Sequence, residues 1–207
     1  MRLLIASLAA LTAGMPIAAG AAFASALGTG AQLVTCGATL RYPDGTTRTP
    51  GPVPLGPAFG SVTAHFLAGT FAVRRELFHA VGGYLPGLAY AENTELGMRL
   101  GAEVQRRGAQ CVALDTPLVE VAAVNRAYDA DRSYSSGMAV LEASGELLAR
   151  DPHLLALYLD ITGVAAARCG HAAVARRLLT RAWRLEPRAV RHPLRLLRSQ
   201  LPVKGWR

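Results

Sequence analysis

The sequence predicts an α/β domain followed by a helical tail, and three observations carry this prediction. In residues 69–100 a short apolar strand pattern is followed by apolar residues at helical spacing, a glycine pair and a second amphipathic stretch. Apolar residues make up 51% of the 207 residues and charged residues only 17%, so the chain has enough apolar surface for a core. From residue 137 the pattern is helical almost to the end.

The predicted α/β domain covers residues 32–125 and begins with a β-hairpin. Strand patterns at 33–42 and 46–49 flank the turn Pro43–Gly45, whose glycine supplies a positive φ. Residues 50–60 are rich in proline and glycine and lack apolar periodicity, which indicates an exposed loop.

A strand, a short helix and a glycine turn are predicted next. Residues 69–73 are typical of a buried strand, and 74–81 have helical spacing of their apolar side chains. Gly82 and Gly83 end that helix, since glycine readily adopts a positive φ and lets a backbone or a ligand approach closely.

Two carboxylates open the following helix. Glu92 and Glu95 lie at its predicted N-terminus, where the helix dipole favours negative charge. A carboxylate beside a glycine turn can hold and deprotonate an acceptor hydroxyl; alternatively, both only cap the helix, and Arg99 pairs with Glu95 one turn away. Gly108 predicts the end of this helix, and two strands are predicted after it, at 111–114 and 118–124.

Residues 32–125 resemble the acceptor-side half of family 2 type glycosyltransferases, which have the GT-A fold. The residues that carry the resemblance are RRxxFxxVGGY from Arg74 and ENTELxxR from Glu92. In that family the second acidic motif reads E-D-x-D/E-L, and its aspartate is the catalytic base. Here that position is Asn93, and the motif is more similar to the E-N-x-E-L of mucin-type N-acetylgalactosaminyl transferases.

The resemblance implies transfer of a sugar from a nucleotide sugar to a hydroxyl acceptor, with inversion. Glu92 becomes the expected base and Glu95 a second group that positions the acceptor or the helix. The expected substrate-binding residues are Gly82, Gly83, Asn93, Arg74 and Arg75, the arginines because their forks match phosphate oxygens.

The family also implies Mn²⁺ or Mg²⁺, but the sequence shows no cofactor ligands of its own. No D-x-D precedes the hairpin, and no glycine-rich phosphate loop follows an early strand. Asp129–Asp131 has the letters of D-x-D but lies beyond the acidic helix, so it is predicted to be a solvated loop. The expectation is therefore a truncated enzyme without the donor-binding half, and no metal site in this chain.

The apolar residues 1–31 have three interpretations. They are the helix that precedes the first strand of a truncated enzyme, a signal cleaved after residue 24 or 26, or a membrane anchor weakened by internal glycine and proline. The first interpretation predicts a cytoplasmic location, with association at a membrane surface, and the second predicts export.

The tail, 126–207, resembles a single tetratricopeptide repeat. Small residues at Gly163, Ala175 and Ala182 would let two helices approach closely, with Trp183 between them. The residues at the spacing of that motif are Leu159, Gly163, Gly170, Ala175, Leu179, Ala182 and Pro187. One repeat cannot bury its own face, so the tail is expected to dock on the preceding domain or on another chain.

The tail is also basic, since Glu186 is the only acid between residues 168 and 207 of a chain whose net charge is +8. Such a surface suits an anionic membrane, while the shortage of aromatic residues argues against nucleic acid. The alternative function is thus a non-catalytic interaction protein whose basic tail binds a partner or an anionic membrane.

Cysteine and histidine residues add little chemistry to the prediction. The three cysteines are far apart in sequence and are predicted to be small buried apolar residues in a reducing compartment. His79, His171 and His192 are predicted at the surface, and His65 in the core beside the buried strand.

Overall fold

The computed structural model confirms a mixed α/β protein that divides into two compact units. We call them the sheet unit (Met1–Leu85 and Asn93–Arg126) and the helical unit (Pro86–Glu92 and Ala127–Arg207). The residues described are 3–4, 17–49, 55–59, 62, 69–122, 128–189 and 191–198. The GT-A and tetratricopeptide assignments remain predictions.

Five strands and seven α-helices are described. The strands are β1 (Leu3–Leu4), β2 (Leu33–Arg41), β3 (Thr47–Arg48), β4 (Phe71–Arg74) and β5 (Cys111–Ala122). The helices are α1 (Ile17–Gly28), α2 (Arg75–Ala80), α3 (Glu92–Arg106), α4 (Ala130–Leu148), α5 (Pro152–Arg168), α6 (Ala172–Leu185) and α7 (Arg191–Arg198), with a 3₁₀ turn at Pro57–Phe59.

Strand β2 is the centre of the sheet. Its residue Val34 pairs with Ala72 of the antiparallel strand β4 and with Val112 of the parallel strand β5. Strand β1 continues the sheet beyond β4, and β3 pairs with the last residues of β2. The predicted hairpin is confirmed, because the Tyr42 N–H donates to the Thr46 carbonyl (2.9 Å) across the turn.

Helix α1, the longer described part of the N-terminal segment, belongs to the core. Phe23 and Leu27 of α1 pack with Val34 and Cys36 of β2. Among the described residues, no helix is long and apolar enough to cross a membrane.

Two details of the sheet unit differ from the prediction. The two strands expected after Gly108 are one strand, β5, whose register against β2 shifts around Gly37. Pro117 is tolerated there because β5 pairs only with β2 among the described strands, and a sheet edge does not need every N–H. Residues 50–60 were expected to form an exposed loop, but Phe59, in the described part of this range, is fully buried.

The helical unit is built on closely packed helices. A Cβ at Gly163 of α5 would lie 2.8 Å from Leu179 Cγ of α6, so the predicted close approach is confirmed. Gly170 turns the chain between these helices with φ of 82°. Helix α4 begins at Ala130, earlier than the predicted 137, because Asp129 caps it by accepting from the Arg132 N–H (3.0 Å).

Three further predictions in the helical unit were wrong. Asp129–Asp131 is the start of α4 and not a solvated loop. Trp183 is 40% exposed and does not lie between helices, since the small residues bring α5 and α6 too close to admit an indole. His192 is not at the surface; it is fully buried. His65 lies outside the described residues.

Candidate functional site

The predicted glycine turn ends α2 as expected. The Val81, Gly82 and Gly83 N–H groups donate to carbonyls of the last turn, and the two glycines have φ of 79° and 70°. Gly82 is exposed, with open space where a Cβ would be. Gly83 is buried, and a Cβ there would lie 3.2 Å from the Phe78 ring. The close approach predicted at Gly83 is therefore made by the ring of Phe78.

The residues after the turn hold α3 in place within the sheet unit. The Tyr84 hydroxyl donates to Asn93 Oδ1 over 3.0 Å, and the Tyr84 ring lies edge-on to Phe78 with centroids 5.9 Å apart. Asn93 thus accepts a hydrogen bond from a hydroxyl group of the protein itself. A neutral amide in this contact orients the helix start and cannot take up a proton as a carboxylate does.

Glu95 is fully buried and forms a two-pronged ion pair with Arg99. Arg99 Nε lies 2.7 Å from Oε1 and Nη2 lies 2.5 Å from Oε2. Arg99 also donates from Nη1 to the Val81 carbonyl, so the pair links α3 to the end of α2. This confirms the predicted Glu95–Arg99 pair, and it commits both carboxylate oxygens of Glu95 to a structural contact.

Glu92 is placed differently. It is the first residue of α3 and is partly exposed. The preceding Ala91 has φ of 63°, the only positive φ of a non-glycine residue in the part of the chain that the structure describes. Such a conformation costs about 1–3 kcal/mol and persists only where the surroundings enforce it, which is common at functional sites. This strained residue directly precedes Glu92.

The two arginines predicted to bind phosphate are not equivalent. Arg74 donates from Nη2 to the Leu27 carbonyl (2.7 Å) and from Nε to the Ala31 carbonyl (3.0 Å), so it caps the C-terminus of α1. Arg75 is half-buried, and its Nε has no hydrogen-bond partner. That Nε is itself buried, so it is not an accessible donor, and the phosphate-binding roles of Arg74 and Arg75 stay predictions.

The helical unit contains a buried ionic cluster that the sequence prediction missed. His192 Nδ1 lies 3.1 Å from Asp160 Oδ1, and its Nε2 lies 3.0 Å from Glu186 Oε2. Asp160 also pairs with Arg195. Burial alone would raise the pKa of Glu186, but hydrogen bonds from His192 and His153 lower it overall. The sequence did contain one sign of this cluster: Asp160 is a lone acidic residue within the apolar sequence of α5, and a buried acid needs a polar partner.

A cavity of about 370 Å³ lies within the helical unit. Its lining is mostly aliphatic, with three charged side chains, and comprises Met138, Leu141, Glu142, Gly145, Leu155, Leu159, Arg177, Leu178 and Arg181. Glu142 is the carboxylate in this lining, and the mostly aliphatic surface around it suits packing or the binding of an apolar group.

Neither metal nor thiol chemistry is visible among the described residues. No group of three or more His, Cys, Asp or Glu side chains in the described ranges is arranged to hold a metal ion. All three cysteines are free, and burial raises the pKa of Cys111 and of Cys169 to about 11. These two thiols stay protonated at neutral pH and are poor nucleophiles.

Comparisons with protein-family models, with curated proteins and with solved structures found no match for this chain.

Proposed function

We propose that this protein is the acceptor side of an inverting glycosyltransferase that resembles family 2, with Glu92 as the catalytic base. One observation carries the proposal: the two carboxylates at the start of α3 differ in their environment. Glu92 is partly exposed, whereas Glu95 is buried and neutralised by Arg99. The greater exposure of Glu92 supports it, over Glu95, as the carboxylate that meets a substrate.

The chemistry requires a base that is ionised and within reach of the acceptor. Glu92 removes the proton of the acceptor hydroxyl while that oxygen attacks the anomeric carbon and the nucleotide diphosphate leaves.

The donor side is not assigned to residues of this chain. The family resemblance implies a nucleotide sugar and Mn²⁺ or Mg²⁺, whose diphosphate is held by a D-x-D motif. Here the only D-x-D letters, Asp129–Asp131, belong to the start of α4, and Asp129 is committed to capping and to an ion pair with Arg132. We therefore propose roles only in acceptor binding and deprotonation and assign no donor-binding residue.

The test compares two matched variants of the native polypeptide. Intact mass measurement first establishes the form of the endogenous protein, and that form is assayed with UDP- and GDP-sugars, Mn²⁺ and a panel of hydroxyl acceptors. We expect Glu92→Gln to lower turnover by about 10²–10⁴-fold, the usual loss of a general base. Glu76→Gln is the control, since Glu76 is exposed in the first turn of α2.

Two outcomes would reject the proposal. Full turnover in Glu92→Gln would show that Glu92 is not the base. If the endogenous form neither transfers any sugar nor gains melting temperature with any donor, the activity itself is wrong.

A further inference from the structure

The last described helix, α7, is held in the helical unit by the face that contains His192. His192 on that face has no exposed surface and lies between the carboxylates of Asp160 and Glu186. Arg195 adds an ion pair to Asp160. These contacts set the rotation of α7 about its own axis, and therefore also determine which residues face away.

Two leucines occupy the opposite side of α7. At roughly 100° per residue, Leu194 and Leu197 lie about 200° and 140° around the helix from His192. Their exposed fractions are 60% and 63%, the largest among the large apolar side chains that the structure describes. Helices of water-soluble proteins normally bury such a stripe, so two leucines held outward by a buried ionic cluster suggest a partner.

The charge around these leucines is positive. Helices α6 and α7 contain no acidic residue and seven arginines. Arg191 and Arg195 pair with Glu186 and Asp160, yet 43% and 42% of their side chains remain exposed. The sequence after α7 continues with Leu201, Val203, Lys204, Trp206 and Arg207, a mixture typical of segments at a lipid–water interface.

We propose that the outer face of α7 docks on an anionic membrane surface, with Leu194 and Leu197 entering the headgroup boundary and the arginines binding lipid phosphates. A second copy is disfavoured because an isologous contact would place α7 arginines against each other. Two leucines are also far short of the roughly 800 Å² that each partner buries in a stable protein interface. Nucleic acid would use the arginines but would leave the leucines in water.

The experiment is vesicle flotation with the full chain. We expect binding to vesicles of phosphatidylcholine mixed with phosphatidylserine, weak binding to phosphatidylcholine alone, and release at high salt. Replacing both leucines by serine (Leu194→Ser with Leu197→Ser) should weaken binding to the anionic vesicles at least about tenfold. Ile161→Ser is the matched control, because Ile161 is 48% exposed in the same unit on α5 and should not affect binding.

Other outcomes overturn the proposal. Equal binding to both vesicle types, or unchanged binding of the double-serine variant, would show that this face is not a docking surface for anionic lipid. Absence of vesicle binding together with a dimer that the double variant loses would assign the face to self-association. Binding of a DNA oligomer that survives the leucine changes, without vesicle binding, would assign the arginines to nucleic acid. Circular dichroism verifies that each variant keeps its helices.

Discussion

Among single residues, Asp160 has the most demanding environment. Its carboxylate is completely buried, and it accepts from His192 at 3.1 Å and pairs with Arg195. A buried ion pair gains little over a well-packed apolar core, but removing one partner leaves a desolvated charge without compensation. The cluster thus contributes mainly to specificity, since it allows α7 only one orientation.

We expect Asp160→Asn to destabilise the helical unit by about 3–5 kcal/mol, because His192 and Arg195 lose a charged acceptor inside the protein. Urea denaturation followed by circular dichroism measures the change. Glu146→Gln is the matched control, since Glu146 is exposed on α4 and should differ from wild type by no more than about 0.5 kcal/mol. Equal stability of the two variants would show that the buried cluster does not hold α7.

At the scale of elements, glycines decide how closely the helices of the helical unit approach each other. Gly137 of α4 faces Thr162 of α5, and a Cβ at Gly137 would lie 2.3 Å from Thr162 Oγ1. Gly145 lies two turns later on α4, and a Cβ there would have no atom within 4 Å. The two glycines have the same helical backbone and differ mainly in this contact.

Alanine substitution should therefore have opposite effects at these two positions. Gly145→Ala is expected to stabilise the protein by about 0.5–1 kcal/mol, because alanine costs less conformational entropy in a helix. Gly137→Ala is expected to destabilise it by about 1–3 kcal/mol, because the added methyl overlaps Thr162 and pushes the helices apart. Thermal and urea unfolding of both variants measures the difference, and a stabilising Gly137→Ala would contradict the packing described.

At the scale of the whole molecule, ion pairs make stability depend on pH. Hydrogen bonds from Arg106 and Arg107 lower the pKa of Glu103 to about 2, and a hydrogen bond from Arg41 lowers that of Glu120. Contacts with Thr46 lower the pKa of Asp44. A carboxyl group whose pKa is lower in the folded state binds fewer protons there, so it stabilises the fold above its unfolded pKa.

We expect the urea midpoint to fall as the pH decreases from about 5 toward 2, since these groups are protonated first in the unfolded chain. The loss begins near the ordinary pKa of 4.5 and, for Glu103, extends to about 2. Glu103→Gln should show a smaller decrease over the same range than wild type. A midpoint that is constant or rises on acidification would contradict this assignment of the ion pairs.

Local rules allowed much of the fold to be predicted. The hairpin turn at Pro43–Gly45, the helix stop at Gly82 and the turn at Gly170 all follow from backbone conformations that glycine adopts easily. The helical hairpin follows from apolar periodicity and from small residues at fixed spacing. Such signals are contained within a few consecutive residues, so they do not depend on what packs against them.

The candidate site was predicted in position but not in environment. The sequence by itself determined that Glu92 and Glu95 begin a helix after a glycine turn, because capping and the helix dipole are local effects. Only the tertiary structure decided that Glu95 is buried and paired with Arg99 while Glu92 stays partly exposed. It also decided that His192 is buried and contacts Asp160, which lies 32 residues earlier in the chain. Burial and ion pairing depend on which distant segments meet, and this is settled when the whole chain packs.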